Sequence, residues 1–331
     1  MKPSKIYYEP TVLDYKLGKE LKTKFEDIEW VPIESHNNIE ELRTKENTAF
    51  QELKTLLILG TRKTHKYTPN FKVSDYLVPF TSSGCTAMCL YCYLVCNYNK
   101  CSYLRVFVNR EQMMDRLIRY SNKSDTELTF EIGSNSDLIL ENTLTNNLPW
   151  IIDNFMSAQK GKITFPTKFN MVEPLLGLSH QGRVIFRMSV NPQFIISNIE
   201  VGTASLKNRI SALNKMAEAD YPVGILIAPV IMLDNWKELY TELLDTLKED
   251  LTKKVKEQMF IEIIFMTYSF IHRSINSEAF PEAIELYDKD LMKGRGMGKY
   301  CYRPELRTEG EEWLLREIDI RFGKDKILYF S

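Results

Sequence analysis

The chain has 331 residues, with 43 Lys or Arg against 44 Asp or Glu, which gives a formal net charge of −1. This balance excludes a uniformly basic nucleic-acid-binding tail, and the 44% apolar content excludes an intrinsically disordered chain. The length fits one large domain with additions, or two domains of ordinary size.

The N-terminal residues 1–75 are predicted to form an extension that packs on the main domain. Its clearest element is the apolar run 56–59, which ends at Gly60. The first residues lack the apolar stretch of a signal peptide, and no segment reaches the roughly 18 to 20 apolar residues of a membrane-spanning helix. We therefore expect a cytoplasmic protein with no membrane partner.

From residue 76 onward, short strand-like runs alternate with helical patterns. Strands are predicted over 76–80, 104–108, 128–132, 162–165, 184–190, 223–230, 260–266 and 327–330. Apolar residues at helical spacing predict a helix over 234–251 with Asp234 as its N-cap. A second helix is predicted to begin at Thr308, in a capping box with Glu311, and to end at Gly323. This alternation indicates a parallel α/β sheet, either open and doubly wound or closed into a barrel.

Five of the six cysteines lie between residues 85 and 101. Cys85, Cys89 and Cys92 have the spacing Cys-x3-Cys-x2-Cys directly after a predicted strand, and three thiolates would leave one iron of a 4Fe-4S cluster open for chemistry. The alternative is a structural zinc site that takes its fourth ligand from Cys96 or Cys101. Such crowded thiols in a long chain indicate a metal site and argue against a disulfide framework.

Tyr91 precedes the third cysteine, and this Cys-x3-Cys-x-aromatic-Cys loop resembles that of the radical S-adenosylmethionine (SAM) superfamily. The resemblance implies an α/β fold with a partial (β/α)6 barrel of the TIM type. It implies a barrel over 76–270, after the N-terminal extension, and a C-terminal region over 271–331 with a DNA-contacting loop or hairpin. In that superfamily the open iron binds the amino and carboxylate groups of SAM, and an injected electron splits SAM to a 5′-deoxyadenosyl radical.

Further patches along the chain look like the spore photoproduct lyase family. They are the segments 62–64, 89–94, 103–109, 167–169, 186–191, 228–229 and 298–300. The resemblance implies a DNA repair lyase that reverses the ultraviolet lesion of spores, 5-thyminyl-5,6-dihydrothymine, to two thymines. It also implies a one-electron donor, which the sequence does not name.

The resemblance also implies roles for single residues. Tyr91 and Tyr93 would return the radical to SAM, and Lys168 would pair with the SAM carboxylate. The hydroxyls of Ser136 and Ser189 and the backbone of Ala228 are predicted as further SAM contacts. The alternatives are aromatic packing for Tyr91 and a solvated charge for Lys168.

One position departs from the family pattern. The cysteine that donates a hydrogen atom to the thymine radical in the family falls on Ser134, and an O–H bond is too strong to replace S–H in this step. We therefore predict that Cys96 is the donor, with Cys101 and Cys301 as weaker candidates.

The charge is segregated along the chain. Residues 54–72 hold five basic residues and no acid, whereas 288–303 hold five basic and two acidic residues. The second segment is interrupted by glycines that allow close approach to phosphates, and we predict DNA contacts from Arg295, Lys299 and Tyr300. Ordinary solvated surfaces produce such runs too.

Three hypotheses remain from the sequence. The first is spore photoproduct lyase activity on damaged double-stranded DNA. The second is a radical SAM enzyme that acts on a different nucleic-acid substrate. The third is a non-catalytic metal-binding protein that binds nucleic acid.

Overall fold

The computed structural model describes residues 2–97 and 103–331, with the backbone alone for 96 and 97. Its strands are β1 (Ile6–Tyr8), β2 (Trp30–Pro32), β3 (Leu57–Gly60), β4 (Thr68–Pro69), β5 (Tyr76–Leu77), β6 (Ser82–Ser83), β7 (Met88–Cys89), β8 (Leu104–Phe107), β9 (Thr129–Glu131), β10 (Lys162–Thr167), β11 (Val184–Val190), β12 (Glu200–Val201), β13 (Val223–Val230), β14 (Phe260–Phe265), β15 (Thr267–Ser269), β16 (Met292–Gly296), β17 (Lys299–Tyr302) and β18 (Ile327–Phe330).

The α-helices follow in the same order. They are α1 (Lys16–Lys24), α2 (Glu40–Arg43), α3 (Phe50–Leu53), α4 (Leu94–Asn97), α5 (Arg110–Lys123), α6 (Leu138–Thr145), α7 (Asn147–Phe155), α8 (Gln193–Asn198), α9 (Leu206–Glu218), α10 (Trp236–Asp250), α11 (Lys253–Gln258), α12 (Phe270–Ala279) and α13 (Pro304–Phe322). No helix among the described residues is long and apolar enough to cross a lipid bilayer.

The chain divides into two compact units. The first comprises Met1–Thr86, Leu94–Phe165 and Glu173–Val184, and the second comprises Ala87–Tyr93, Pro166–Val172 and Ile185–Ser331. The three-part division predicted from the sequence stays a prediction.

The first unit contains a five-stranded sheet with the order β2-β1-β3-β8-β6. Strands β1, β2, β3 and β8 pair in parallel, and β6 is antiparallel to β8. Its core includes Ile6, Leu57, Leu59, Leu104 and Val106, none of them more than 1% exposed. Strands from the predicted N-terminal extension therefore share a sheet and a hydrophobic core with β8.

A second sheet has eight strands in the order β18-β14-β13-β11-β10-β9-β5-β4. Strands β11, β13, β14 and β18 pair in parallel, as do β5, β9 and β10, whereas β4 is antiparallel to β5. Strands β11 and β13 have the predicted bounds and are mostly buried, which is typical of parallel strands covered on both faces. The predicted parallel α/β sheet is confirmed.

The predicted strand over 76–80 is shorter in the structure, where β5 ends at Leu77. Pro79 has no amide hydrogen to donate to a neighbouring strand, so it does not continue the pairing.

Helix α10 buries the predicted apolar face, but it begins later than expected. Asn235 is the N-cap and makes no side-chain capping bond, so the prediction of Asp234 was wrong. The amide of Trp236 donates to the carbonyl of Leu233 at 3.0 Å, and this turn occupies the two residues expected to start the helix.

Helix α13 begins at Pro304, four residues before the predicted start at Thr308. Proline is favoured in a first helical turn because its fixed φ suits the helix and its missing N–H is not needed there. The predicted capping box was wrong, since Glu311 lies inside the helix and accepts a hydrogen bond from Arg307 at 2.8 Å. The predicted end is confirmed by Gly323, the C-cap residue, at φ 90°.

The glycine-interrupted segment near residue 296 forms a β-hairpin from β16 and β17, and β15 pairs with β17 on the other side. Three consecutive tip residues have positive φ, which the glycines adopt without strain: Gly296, Met297 and Gly298. The Met297 side chain at the tip is 99% exposed.

Candidate functional site

The cysteine loop follows β6. Cys85 and Cys92 are partly buried, Cys89 is buried, and none of the three forms a disulfide bond within the described part of the chain. The carbonyl of Cys85 accepts a hydrogen bond from the buried Lys54 ammonium at 2.8 Å, whereas Cys89 lies in β7 and pairs with Glu200 of β12. Backbone contacts on both sides therefore fix this loop.

The three thiols match a 4Fe-4S cluster by their chemistry. Within residues 2–97 and 103–331, no three His, Cys, Asp or Glu side chains are grouped closely enough to hold a metal ion. A single zinc ion needs its ligands to converge on one point at about 2.0–2.3 Å. In a cubane cluster each thiolate binds a different iron, so the three sulfurs need no common point.

Tyr91 and Tyr93 differ in their surroundings. The Tyr91 hydroxyl donates a hydrogen bond to the Glu200 carboxylate, and its ring centroid lies 5.7 Å from the Lys168 ammonium. Burial, with the nearby Glu200 charge adding, raises the pKa of Tyr91 well above its usual value. Tyr93 is 52% exposed.

Lys168 brings together three of the predicted SAM contacts. Its ammonium donates to Ser189 Oγ at 2.7 Å, to the Ala228 carbonyl at 2.8 Å and to Glu200 Oε1 at 2.8 Å. Lys168 directly follows β10, whereas Ser189 and Ala228 lie near the C-terminal ends of β11 and β13. Functional groups of barrel folds gather at this end of the strands.

The sequence did not reveal Glu200, the most highly connected residue of this group. Its side chain is fully buried and accepts from Lys168, from Asn191 Nδ2 at 2.8 Å and from Arg209 at 2.6 Å, besides Tyr91. Burial alone would raise the pKa of Glu200, but the charges of Lys168 and Arg209 outweigh it and hold this pKa well below the usual range. The sequence around Glu200 shows only a single acidic residue between the apolar residues Ile199 and Val201.

Ser136 belongs to the first unit and lies just before α6. Its hydroxyl is 2.6 Å from Ser82 Oγ, and its backbone forms an isolated bridge with Gly84. Ser82 also donates to the buried carboxylate of Glu141 at 2.9 Å. Burial raises the pKa of Glu141, and hydrogen bonds from neighbouring side chains only partly oppose that shift.

The predicted DNA contacts lie on the β-hairpin. Arg295 is exposed on β16, and Lys299 and Tyr300 are consecutive residues of β17, so their side chains point to opposite faces of the hairpin. The Tyr300 ring packs against Tyr287 with centroids 4.6 Å apart.

Only some of the side chains considered for hydrogen-atom donation lie in the described part of the chain. The Cys96 side chain and all of Cys101 lie outside the described residues, although the backbone of Cys96 belongs to α4. Ser134 is half-buried after β9, and Cys301 is half-buried in β17.

Comparison with known proteins places these features in a family. The spore photoproduct lyase family model matches residues 1–331. The chain is 34% identical to spore photoproduct lyase of Bacillus subtilis (strain 168), over 99% of this chain and 98% of the relative. It is 31% identical to the same enzyme of Geobacillus sp. (strain Y412MC61), with the same coverage.

Solved structures of spore photoproduct lyase are similar over 99% of both chains. One variant superposes with a TM-score of 0.92 at 30% identity. Another, with bound SAM and dinucleoside spore photoproduct, gives the same score and identity. The predicted partial α/β barrel is confirmed by these matches.

Proposed function

This chain belongs to the spore photoproduct lyase family, and we propose that it binds SAM at Lys168 and repairs 5-thyminyl-5,6-dihydrothymine in DNA. It is a radical SAM lyase of DNA repair with a 4Fe-4S cluster as cofactor. The assignment of single residues is our proposal and rests on the contacts described within each unit.

The convergence of Ser189, the Ala228 carbonyl and Lys168 at the ends of three barrel strands carries the proposal. The Lys168 side chain is 20% exposed, and because its three N–H groups already have acceptors, the SAM carboxylate would replace one of these acceptors. A cation at that position suits the SAM carboxylate, since charge-assisted hydrogen bonds are the strong ones. Ser189 and the Ala228 carbonyl offer further polar partners beside it, and Ser136 of the first unit is proposed as another.

We assign Cys85, Cys89 and Cys92 as the cluster ligands. When bound, the cluster and SAM supply the radical that removes a hydrogen atom from the lesion. The chain contributes the three thiolates and the Lys54 contact that fixes the Cys85 carbonyl. A one-electron donor from outside the chain completes the reaction.

Duplex DNA is the proposed partner of the hairpin. Arg295 and Lys299 supply positive charge, and Tyr300 adds an aromatic ring to the same hairpin. A lesion stacked in a duplex must leave the stack to react, at a cost of a few kcal/mol. An exposed hairpin with a flexible tip is suited to hold the distorted strand. A cytoplasmic location, where the DNA is, follows from this substrate.

The decisive experiment is anaerobic reconstitution followed by turnover. The reduced protein is incubated with SAM and the defined dinucleotide lesion, and released thymine is measured by chromatography. We expect thymine in parallel with loss of the lesion, and no thymine from the variant Cys89→Ala. Absence of thymine from the reconstituted parent protein would refute the repair function. Brown colour that is lost on oxidation distinguishes the iron-sulfur cluster from zinc.

A further inference from the structure

A basic and aromatic surface of the first unit has no role in the site described above. It is formed by the segment 61–74 and the outer face of α5. Segment 61–74 contains four basic residues and no Asp or Glu: Arg62, Lys63, Lys66 and Lys72. We call the exposed side chains of Lys63, Lys66, Phe71, Arg116 and Tyr120 the α5 surface.

Not every cation of the basic stretch 54–72 is available to a ligand. Lys54 is 3% exposed and holds the Cys85 carbonyl. Arg62 donates to the Phe80 and Ser82 carbonyls, and its guanidinium lies 3.9 Å from the Phe107 ring centroid. These two side chains therefore stabilise the fold and are excluded from the α5 surface.

Two cations of the segment and one of α5 face solvent. Lys63, Lys66 and Arg116 are exposed, and within the described parts of the chain no ion pair joins any of them to a carboxylate. Arg116 reaches the segment from α5. Burial, with the charges of Arg116 and Arg62 adding, lowers the pKa of His65 below its usual value. Arg116 thus lies near His65 and Tyr67, which are in the same segment as the exposed Lys63 and Lys66.

Aromatic rings stand beside these cations. The Tyr67 ring lies 4.9 Å from Tyr120 and 6.5 Å from Tyr76, and Tyr76 lies 5.4 Å from Tyr120. Tyr120 is 40% exposed, and Phe71, in the turn between β4 and β5, is 95% exposed. An ordered group of tyrosines with a fully exposed Phe offers flat apolar faces to a ligand at little entropic cost.

We propose that the α5 surface binds the backbone of the DNA that flanks the lesion. The inference rests on the proposed function, which makes DNA the substrate. Exposed cations that form no ion pair within the described residues suit a polyanion, and aromatic side chains interleaved with basic ones are typical of nucleic-acid surfaces. A chain with a net charge of −1 must collect such local charge to attract a duplex.

The test compares duplex binding with repair of the dinucleotide. Binding of the reconstituted full chain to a fluorescent lesion-containing duplex is followed by anisotropy at several salt concentrations. The triple variant Lys63→Gln/Lys66→Gln/Arg116→Gln should bind about tenfold more weakly, and its salt slope should fall by roughly 2 to 3, since each lost phosphate contact removes about 0.9. The dinucleotide cannot supply several phosphate contacts, so its repair should be unchanged.

One further variant and one control distinguish the effect of charge on duplex binding from that of aromatic stacking. Phe71→Ser should weaken duplex binding severalfold while the salt slope stays the same, because the ring carries no charge. The control Lys16→Gln/Lys253→Gln removes two exposed lysines elsewhere, whose side chains are 78% and 89% exposed, and should leave duplex binding unchanged.

The outcomes distinguish the two proposals. Duplex affinity and salt slope equal to the parent in the triple variant overturn the α5 surface, and so does loss of dinucleotide repair together with duplex binding. Failure of the parent protein to repair the dinucleotide refutes the proposed function instead. An equal loss of duplex affinity in the Lys16/Lys253 control would also overturn the α5 surface, because it would show a general effect of charge.

Discussion

The Lys168 ammonium lies 2.8 Å from Oε1 of Glu200, a carboxylate with no exposed surface. The other oxygen of Glu200 accepts from Arg209 at 2.6 Å. One buried anion thus orients the proposed SAM-binding lysine and ties it to α9. Removing one partner of a buried charge pair is strongly destabilising, because the remaining charge is left uncompensated.

Substitution of Glu200 should therefore affect both stability and SAM binding. We expect Glu200→Gln to lower the free energy of unfolding by about 3 kcal/mol and to weaken SAM binding at least about tenfold. Denaturant titration gives the first quantity, and calorimetry on the reconstituted protein gives the second.

Glu262 provides the matched control. It is also fully buried and accepts from Arg187 at 2.9 Å, but it has no contact with Lys168 among the described hydrogen bonds. Glu262→Gln should destabilise the fold to a similar degree and leave SAM affinity unchanged. Equal losses of SAM affinity in the two variants would show that Glu200 has only a structural role.

Substitution of Tyr91 and of Tyr93 by Phe should have different effects on stability. Tyr91→Phe removes a hydrogen bond to a buried carboxylate, and we expect a loss of about 1 to 2 kcal/mol in stability. Tyr93 is 52% exposed, so Tyr93→Phe should cost little stability. If both tyrosines return the radical to SAM, both variants should consume more SAM per thymine released, as measured by chromatography. An unchanged ratio in both would contradict that role.

Glu141 gives a pH dependence of stability with a defined sign. Burial raises its folded pKa above the ordinary 4.5, so its contribution to stability is complete below that value and is lost as the pH rises through the folded pKa. As the pH rises above 4.5 and through the folded pKa, the parent protein should lose stability relative to Glu141→Gln. Unfolding curves at several pH values measure the difference, and parallel pH profiles would contradict the assignment.

The hydrogen donor can be tested with a pair of cysteine variants. Cys96→Ala should leave SAM cleavage and opening of the lesion intact while diverting the product from thymine. Adding Ser134→Cys, which places a thiol at the family's donor position, should restore thymine. Cys301→Ala is the control and should behave like the parent. Clean thymine formation by Cys96→Ala alone would exclude Cys96 as the donor.

Much of the fold followed from local patterns. The bounds of β11 and β13 were predicted correctly, and so was the buried face of α10, because continuous apolar runs and helical spacing are local properties. The start of α13 was predicted wrongly, because Thr308 and Glu311 have the sequence pattern of a capping box but lie inside the helix. Pro304 was the better signal.

The site was only partly accessible from the sequence. A compact spacing predicted Cys85, Cys89 and Cys92 as cluster ligands, and the family resemblance predicted Lys168 as a SAM contact; both stay predictions. The role of Glu200 was not predicted because its partners are far away in the sequence: Lys168 is 32 positions away and Tyr91 is 109 positions away. Only the tertiary structure reveals a residue whose function depends on such contacts.

The contact between Lys54 and the Cys85 carbonyl bears on how this enzyme can be shortened. Strands β1 and β3 complete a sheet with β8, and Lys54 reaches from the same segment to the first cysteine of the loop. A fragment that begins at residue 76 would lose the four strands β1 to β4 and leave that carbonyl without its buried ammonium. We therefore expect a shortened chain to keep its cysteine loop in place only if the segment that carries β3 and Lys54 is retained.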